Sequence, residues 1–420
     1  MTQAAHLRDA AWLKDGPAAR VIALLDRDGE EARAVGGAVR NTLLDLPVDE
    51  IDVATTALPD EVMRRAAAAG YKAVPTGIEH GTITVVVEHK PVEVTTLRED
   101  VETFGRKARV AFGRDWRADA ARRDFTINAL FAGADGGLYD YVGGLADIAA
   151  RRVRFIGDAQ KRIEEDYLRI LRFFRFHAHF GEGAPDGEGL LACVRARCGL
   201  ETLSRERVRT ELLKLLRAPR AAPTLAVMTE SGLLGMVLGG VALLASFENV
   251  VKVEAAIGVA PDPVRRLGAL GVMVVEDAER LAERLRLANV EAERLKALDA
   301  WWRVHPSGGE HAARVLLYQL KPQSFLDRVL VAWTRSPEGA ADGAWRALAT
   351  LPQRWTPPVF PLKSADFTRR GIEAGPPLGA AMRAAEAAWI AADLPSDRTA
   401  LDAIADDAAR GEGNVTRKAE

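Results

Sequence analysis

Cysteine is nearly absent from this chain. Its 420 residues include two, Cys193 and Cys198, separated by four residues and with no second Cys or His pair beside them. That spacing excludes a paired-ligand zinc site and a disulfide framework, and it fits a reducing cytoplasm. Long apolar runs are absent too. No stretch reaches the roughly eighteen apolar residues that a membrane-spanning helix needs, and the first residues lack the apolar segment of a secretory signal. The expected location is therefore cytoplasmic. Nor is there an excess of charge of one sign: 57 Lys and Arg stand against 59 Asp and Glu, for a net charge of −2. Any contact with nucleic acid must be a local basic surface. What remains is ordinary globular composition in a chain too long for one core, so about two to four domains are expected.

The stretch Gly36 to Asp52, GGAVRNTLLDLPVDEID, carries the first chemistry. Arg33-Ala34-Val35 reads as the end of a strand. Gly36 and Gly37 lack a Cβ and let the backbone turn sharply beside a ligand. A short helix, about Val39 to Leu44, aims its N-terminal amides at that turn, which favours an anion such as phosphate. Arg40 adds a fork of donors suited to phosphate oxygens. After Pro47, Glu50-Ile51-Asp52-Val53 reads as a strand that would put Glu50 and Asp52 on one face. Two carboxylates side by side call for a hard divalent cation, most plausibly Mg²⁺.

Glycine turn, arginine and acid-x-acid in this order resemble the nucleotidyltransferase core of the tRNA nucleotidyltransferase (CCA-adding) and bacterial poly(A) polymerase family, in its class II form. Two positions depart from the family pattern: Asn41 stands where Asp is usual, and Glu50 where the first Asp of Asp-x-Asp is usual. The extra methylene of Glu moves its oxygens by about a bond length, and errors of roughly 1 Å can cost on the order of 100-fold in rate. The resemblance implies an α+β fold. Its N-terminal part is a polymerase-beta-like nucleotidyltransferase head with a small mixed sheet, followed by an all-α neck, body and tail.

The stretch Thr82–Val87 and the stretch Val92–Leu97 read as a hairpin turned at Glu88 to Pro91. Glu93 lies in the second strand, beside the Glu50/Asp52 strand. Glu93 to Arg98 matches the family's EVTTxR, which implies a third acid that helps deprotonate the attacking hydroxyl or completes the metal site. Thr76 to Gly81 reads as a loop near the site, and Phe104 to Trp116 as a mobile loop. In Arg122 to Leu130, arginines ahead of an acid suit a triphosphate, and Asp124 and Asn128, four apart, would share a helix face and hold the sugar. RRDFTIN matches the family, which makes Arg123 a nucleotide contact. The stretch from Asp140 to Asp147 matches a D-x-x-GG-x-x-D connector.

From Ala159 to about Phe180 the pattern predicts one amphipathic helix, with Ile163, Ile170, Leu171 and Phe174 on one side. Asp166, Arg169, Arg172 and Arg175 recur every third residue. EDYLRILRFFRF matches the family's ED-x-x-R element. The resemblance implies that Asp166 and Arg169 select cytosine and adenine edges, with Arg172 and Arg175 supporting them or reaching phosphate. Leu203 to Leu216 reads as a bracing helix with Ser204 as N-cap and Glu206 and Glu211 placed to pair with arginines. Beyond Ala218 the chain reads as all-helical, with breaks at Pro306 to Gly309 and Pro352 to Pro361, a helix opened by Gly375-Pro376, and disorder after Arg410. No His-Asp dipeptide occurs, which argues against the appended phosphohydrolase domain of some relatives.

The expected division is head 1–152, neck 153–217, body 218–350 and tail 351–420. The implied function is Mg²⁺-dependent addition of CMP and AMP from CTP and ATP to the tRNA 3′ end. The rivals are a poly(A) polymerase or A-adding enzyme, a catalytically weak RNA-binding relative, and an NTP-binding regulator. No membrane and no obligate protein partner are implied.

Overall fold

The protein is described from a computed structural model, over residues 7–104 and 107–416. It divides into two units, Met1–Ala242 with Glu283–Arg286, and Leu243–Ala282 with Leu287–Glu420. The fold class is the α+β architecture expected.

The first unit contains the sheet. Its strands are β1 (Ala32–Val35), β2 (Asp52–Thr55), β3 (Lys72–Gly77), β4 (Thr82–Val87), β5 (Lys90–Thr96), β8 (Leu130–Ala132) and β9 (Leu138–Asp140), in the order β3-β4-β5-β2-β1-β8-β9. β4 alternates as a half-covered strand must, burying Ile83, Val85 and Val87, and β5 buries Val92, Val94 and Thr96. Glu88 and His89 turn the hairpin with φ of 50° and 64°. Two successive left-handed residues match the sheet's twist. β5 runs parallel to β2 with Glu93 opposite Asp52, and β1 runs antiparallel to β2 with Val35 opposite Asp52. This register sets the end of β1, the start of β2 and Glu93 side by side. Beneath them Val35, Ala54, Leu97 and Phe131 pack with Trp116, whose ring meets Phe131 edge-on at 5.2 Å.

Several expectations need correction. Glu50 is not in a strand: β2 begins at Asp52, because its partner β1 ends at Val35 and the chain there turns away through Gly36. Thr76 and Gly77 end β3, and Ile78–His80 form a single 3-10 turn. β3 was hidden by Pro75, which this edge strand tolerates. The expected loop from Phe104 is a second small sheet of β6 (Arg98–Phe104) and β7 (Lys107–Phe112), followed by a helix at Trp116–Ala121; Gly105 and Arg106 lie outside the described residues. Asp124 and Asn128 do not share a regular helix, since only Thr126–Asn128 form a 3-10 turn.

The helices that matter for the site are α1 (Gly37–Leu43), α2 (Ala159–Glu165), α3 (Leu168–Phe180) and α4 (Arg205–Leu216). The single helix expected from Ala159 is two. Asp166 is extended (φ −157°, ψ 106°), and its carboxylate accepts from the Leu168 amide at 3.1 Å. Aspartate competes well for free helix-start amides, and here it breaks one helix to begin the next. Ser204 sits at the N-cap of α4 but makes no side-chain cap bond.

The second unit is helical, as expected after Ala218. Its longest helix, Gly309–Thr334, kinks where Lys321 (φ 65°) precedes Pro322. Glu254, Arg265, Arg266 and Asp327 form a buried ionic network within it. Gly375 precedes a helix at Pro376–Ala391. The last helix runs Arg398–Thr416, past the expected end at Arg410. Among the described residues no helix is long and apolar enough to cross a membrane.

Candidate active site

Gly36 leaves β1 with φ 72°. Its amide donates to the Leu130 carbonyl at 3.0 Å, and a Cβ there would stand 3.3 Å from the Asn128 carbonyl oxygen. Only glycine suits both the dihedral and the approach. The turn opens onto a cleft of about 690 Å³ lined by Gly36, Gly37, Arg40, Glu50 and Asp52, by Arg123, Asp124 and Asn128, and by Asp166, Arg169, Arg172 and Arg175. Glu50, though not on a strand, thus reaches the same cleft as Asp52. Glu93 stands beside Asp52 on β5, near enough for its charge to act on the Asp52 carboxyl; the cleft lining itself does not include it.

The three carboxylates form no ion pair and no side-chain hydrogen bond among the described residues. Asp52 is exposed at the cleft, though partly desolvated by the groups around it. Enclosure, then the Glu93 carboxylate, holds its pKa above the usual value; Arg123 opposes this and Glu50 adds to it. Among the described residues no three His, Cys, Asp or Glu side chains could hold a metal ion. Glu50 and Asp52 therefore offer a two-carboxylate site to be completed by phosphate oxygens and water, the donor set magnesium favours. Two carboxylates with no direct ion pair among the described residues fit such an ion.

The cations are held in place from behind. Asp119, 1% exposed, accepts from Arg122 (Nε 2.8 Å, Nη2 2.6 Å) and from Arg123 (Nε 3.2 Å, Nη2 3.1 Å). Arg40 donates from Nη1 to Asn128 Oδ1 at 2.5 Å, and its guanidinium lies 3.9 Å above the Phe180 ring. Burial, with Arg175 and Arg172 nearby and Asp124 opposing, brings its pKa down to about 10; it remains a cation at neutral pH. Asp124 is largely desolvated, its side chain 11% exposed, yet Arg172 (Nη2 at 2.5 Å), the Asn128 amide and the Phe125 N–H hold its carboxyl below the usual range. Asp124 and Asn128 thus meet at 3.2 Å without sharing a regular helix.

On α3, Arg175 pairs with Glu211 of α4 at 2.5 Å, as the bracing role required, whereas Glu206 pairs with Arg286 at 2.8 Å. Asp166 is held by Arg207 at 2.6 Å. Arg169 donates to Glu165 and to the Arg162 carbonyl, and Arg162 donates to the Arg123 carbonyl at 2.7 Å. The kink between α2 and α3 places Asp166 and Arg169 together at the cleft. The Asp140 carboxylate gathers the amides of Val142, Gly143, Gly144 and Leu145, which makes the connector a tight turn. Buried Asp147 takes hydrogen bonds from Thr126 (2.6 Å), Arg152 and Arg154.

Sequence reasoning missed Asp119, Arg207, Phe176 and Phe180. Asp119 left a signal, an acid three and four residues ahead of two arginines. Arg207 left none, lying 41 residues from its partner. His179 also lines the cleft, and burial keeps its pKa low despite a bond to the Lys214 carbonyl.

Models of the poly A polymerase head domain and of the "probable RNA and SrmB- binding site of polymerase A" match residues 32–154 and 190–243. The human CCA tRNA nucleotidyltransferase 1, mitochondrial, is 35% identical over 384 residues, covering 87% of this chain and 84% of the human protein. The chain belongs to the CCA-adding tRNA nucleotidyltransferase family. The CCA-adding enzyme of Geobacillus stearothermophilus is 39% identical over 239 residues, 56% of this chain and 57% of that one. A crystal structure of the Bacillus stearothermophilus CCA-adding enzyme in complex with CTP superimposes with a TM-score of 0.73 at 30% identity, covering 95% of this chain and 97% of that one. The Thermotoga maritima CCA-adding enzyme complexed with tRNA shares the fold at a TM-score of 0.66 and 18% identity, covering 96% of this chain and 98% of that one. This protein is thus a nucleotidyltransferase, and polymerase-beta-like members of that class generally depend on a divalent metal.

Proposed function

We propose that the protein adds CMP and then AMP to the 3′ end of tRNA, building CCA without a nucleic-acid template. One observation carries this reading: the paired carboxylates Glu50 and Asp52 and the polar pair Asp166 and Arg169 share one cleft large enough for a nucleoside triphosphate. The Gly37 amide at the turn, Arg40 and Arg123 take the triphosphate. Asp124 and Asn128 take the ribose. Asp166 accepts from the exocyclic amine common to cytosine and adenine, and Arg169 donates to the ring edge. Uracil and guanine present the opposite pattern and leave both groups unpaired, which is costly in an enclosed site.

The tRNA hydroxyl attacks the α-phosphorus as the bond to pyrophosphate breaks, so one P–O bond forms for each one lost. Glu93, in register with Asp52, takes the hydroxyl proton or completes the metal site. Glu50 and Asp52 would hold Mg²⁺, which supplies charge neutralisation on the phosphates and activation of the hydroxyl. The head (1–152) handles phosphates and the neck (153–217) the base, while the body (218–350) and tail (351–420) carry the tRNA. Buried Cys193 and exposed Cys198 stay unpaired thiols, which supports a reducing compartment such as the cytoplasm.

Labelled CTP, then ATP, offered with tRNA lacking its terminal CCA tests this reading. Transfer of CMP followed by AMP is expected; no CMP transfer would remove it. The match to a poly A polymerase head keeps an A-adding enzyme as the second reading, and incorporation of ATP alone would favour it.

A further inference from the structure

The Asn41 side chain bonds the segment that carries Glu50. The Asn41 carboxamide uses both ends. Its Oδ1 accepts from Arg40 Nε at 3.1 Å and Nη2 at 2.8 Å, and its Nδ2 donates to the Pro47 carbonyl oxygen at 2.8 Å. Its own carbonyl accepts from the Leu46 amide at 2.8 Å. The guanidinium donors dictate which end of the carboxamide is oxygen, so the other end must be the donor. The segment 46–51 that receives this bond has no regular structure and delivers Glu50 to the cleft three residues beyond Pro47. Pro47 has no N–H with which to tie itself down. An aspartate at position 41 would keep Arg40 but set a carboxylate oxygen against the Pro47 carbonyl.

We infer that Asn41 is a positioning residue that clamps the Glu50-bearing segment to the Arg40 guanidinium. The amide holds the segment at a setting from which the longer glutamate side chain reaches the cleft. The effect on metal binding rests on the nucleotidyltransfer reading; the clamp itself does not.

The test compares wild type with Asn41→Asp and Asn41→Ala. It reads amide hydrogen exchange over residues 44–52, Mn²⁺ affinity by electron paramagnetic resonance with CTP and no tRNA, and CTP binding by equilibrium dialysis in EDTA. Asn41→Asp is expected to speed exchange in that segment and weaken Mn²⁺ binding by about three- to tenfold, the worth of one hydrogen bond. It should leave metal-free CTP binding intact, because Arg40 keeps its acceptor. Asn41→Ala should weaken CTP binding as well. Wild-type exchange and Mn²⁺ affinity in Asn41→Asp would overturn the inference. So would a loss confined to CTP binding, since Asn41 would then act through Arg40 alone. If wild type transfers no CMP to tRNA, the proposed function fails while the exchange comparison still decides the clamp.

Discussion

Asp119 does not itself line the cleft, yet it holds both arginines of the RRD element, and removing its charge should cost stability and nucleotide binding together. Its carboxylate is 1% exposed and accepts four charged N–H groups at 2.6 to 3.2 Å. Deleting one member of a fully buried ion pair costs about 3–5 kcal/mol. The arginines here are 15% and 20% exposed and can turn partly to water, so about 2–3 kcal/mol is the expected loss for Asp119→Ala. In a unit of this size that lowers the melting temperature by roughly 5–10 °C. Arg123, freed from its anchor, is no longer pre-set for phosphate, and KM for CTP should rise by about tenfold or more. Asp119→Asn, which keeps the shape and one acceptor, should fall between. Thermal melts and steady-state CTP kinetics measure both effects. Wild-type KM in an Asp119→Ala protein that melts lower would refute the positioning argument and leave Asp119 a purely structural residue.

Three further outcomes are expected. Asp166→Ala should lose discrimination between CTP and UTP by about 10- to 100-fold, the worth of one well-made polar pair, read by competition in single-nucleotide addition; full discrimination would move base selection elsewhere. Glu50→Asp should lower kcat by up to about 100-fold, because the shorter side chain falls short by a bond length; a rise instead would favour the catalytically weak relative. The raised pKa of Asp52 means that the folded protein binds its proton more tightly than the unfolded chain. Its contribution to stability is therefore fully present below the ordinary carboxylate pKa and is lost as pH rises through the folded value. Asp52→Asn should accordingly raise the melting temperature of the metal-free protein at pH 7, with the gap narrowing on acidification, and added Mg²⁺ should stabilise wild type but not the variant.

The glycine pair, the acid-x-acid spacing, RRDFTIN and EDYLR lie in short contiguous runs, so their chemistry and the α+β class were legible from residue order. The alternating Thr82–Val87 and Val92–Leu97 runs announced their hairpin for the same reason, since a two-residue period is a local property. Local pattern failed where a distant partner decided the outcome. Glu50 has strand-compatible neighbours, but a strand needs something to pair with, and β1 stops at Val35. The stretch Ala159 to Phe180 has an unbroken helical period, but Asp166 turns its carboxylate to the Leu168 amide and to Arg207, and the helix breaks there.

Residue order alone thus marked which side chains carry charge and donors suited to phosphate chemistry, and it found the elements whose period is local, such as the Thr82–Val87 strand. Tertiary structure decided what those side chains face: Asp119 behind Arg122 and Arg123, Arg207 on Asp166, Glu211 on Arg175, and Glu93 beside Asp52. The reason is physical. Side-chain chemistry and backbone periodicity are encoded within a few residues, whereas burial and charge pairing depend on which segments the folded sheet and helices bring within hydrogen-bonding distance.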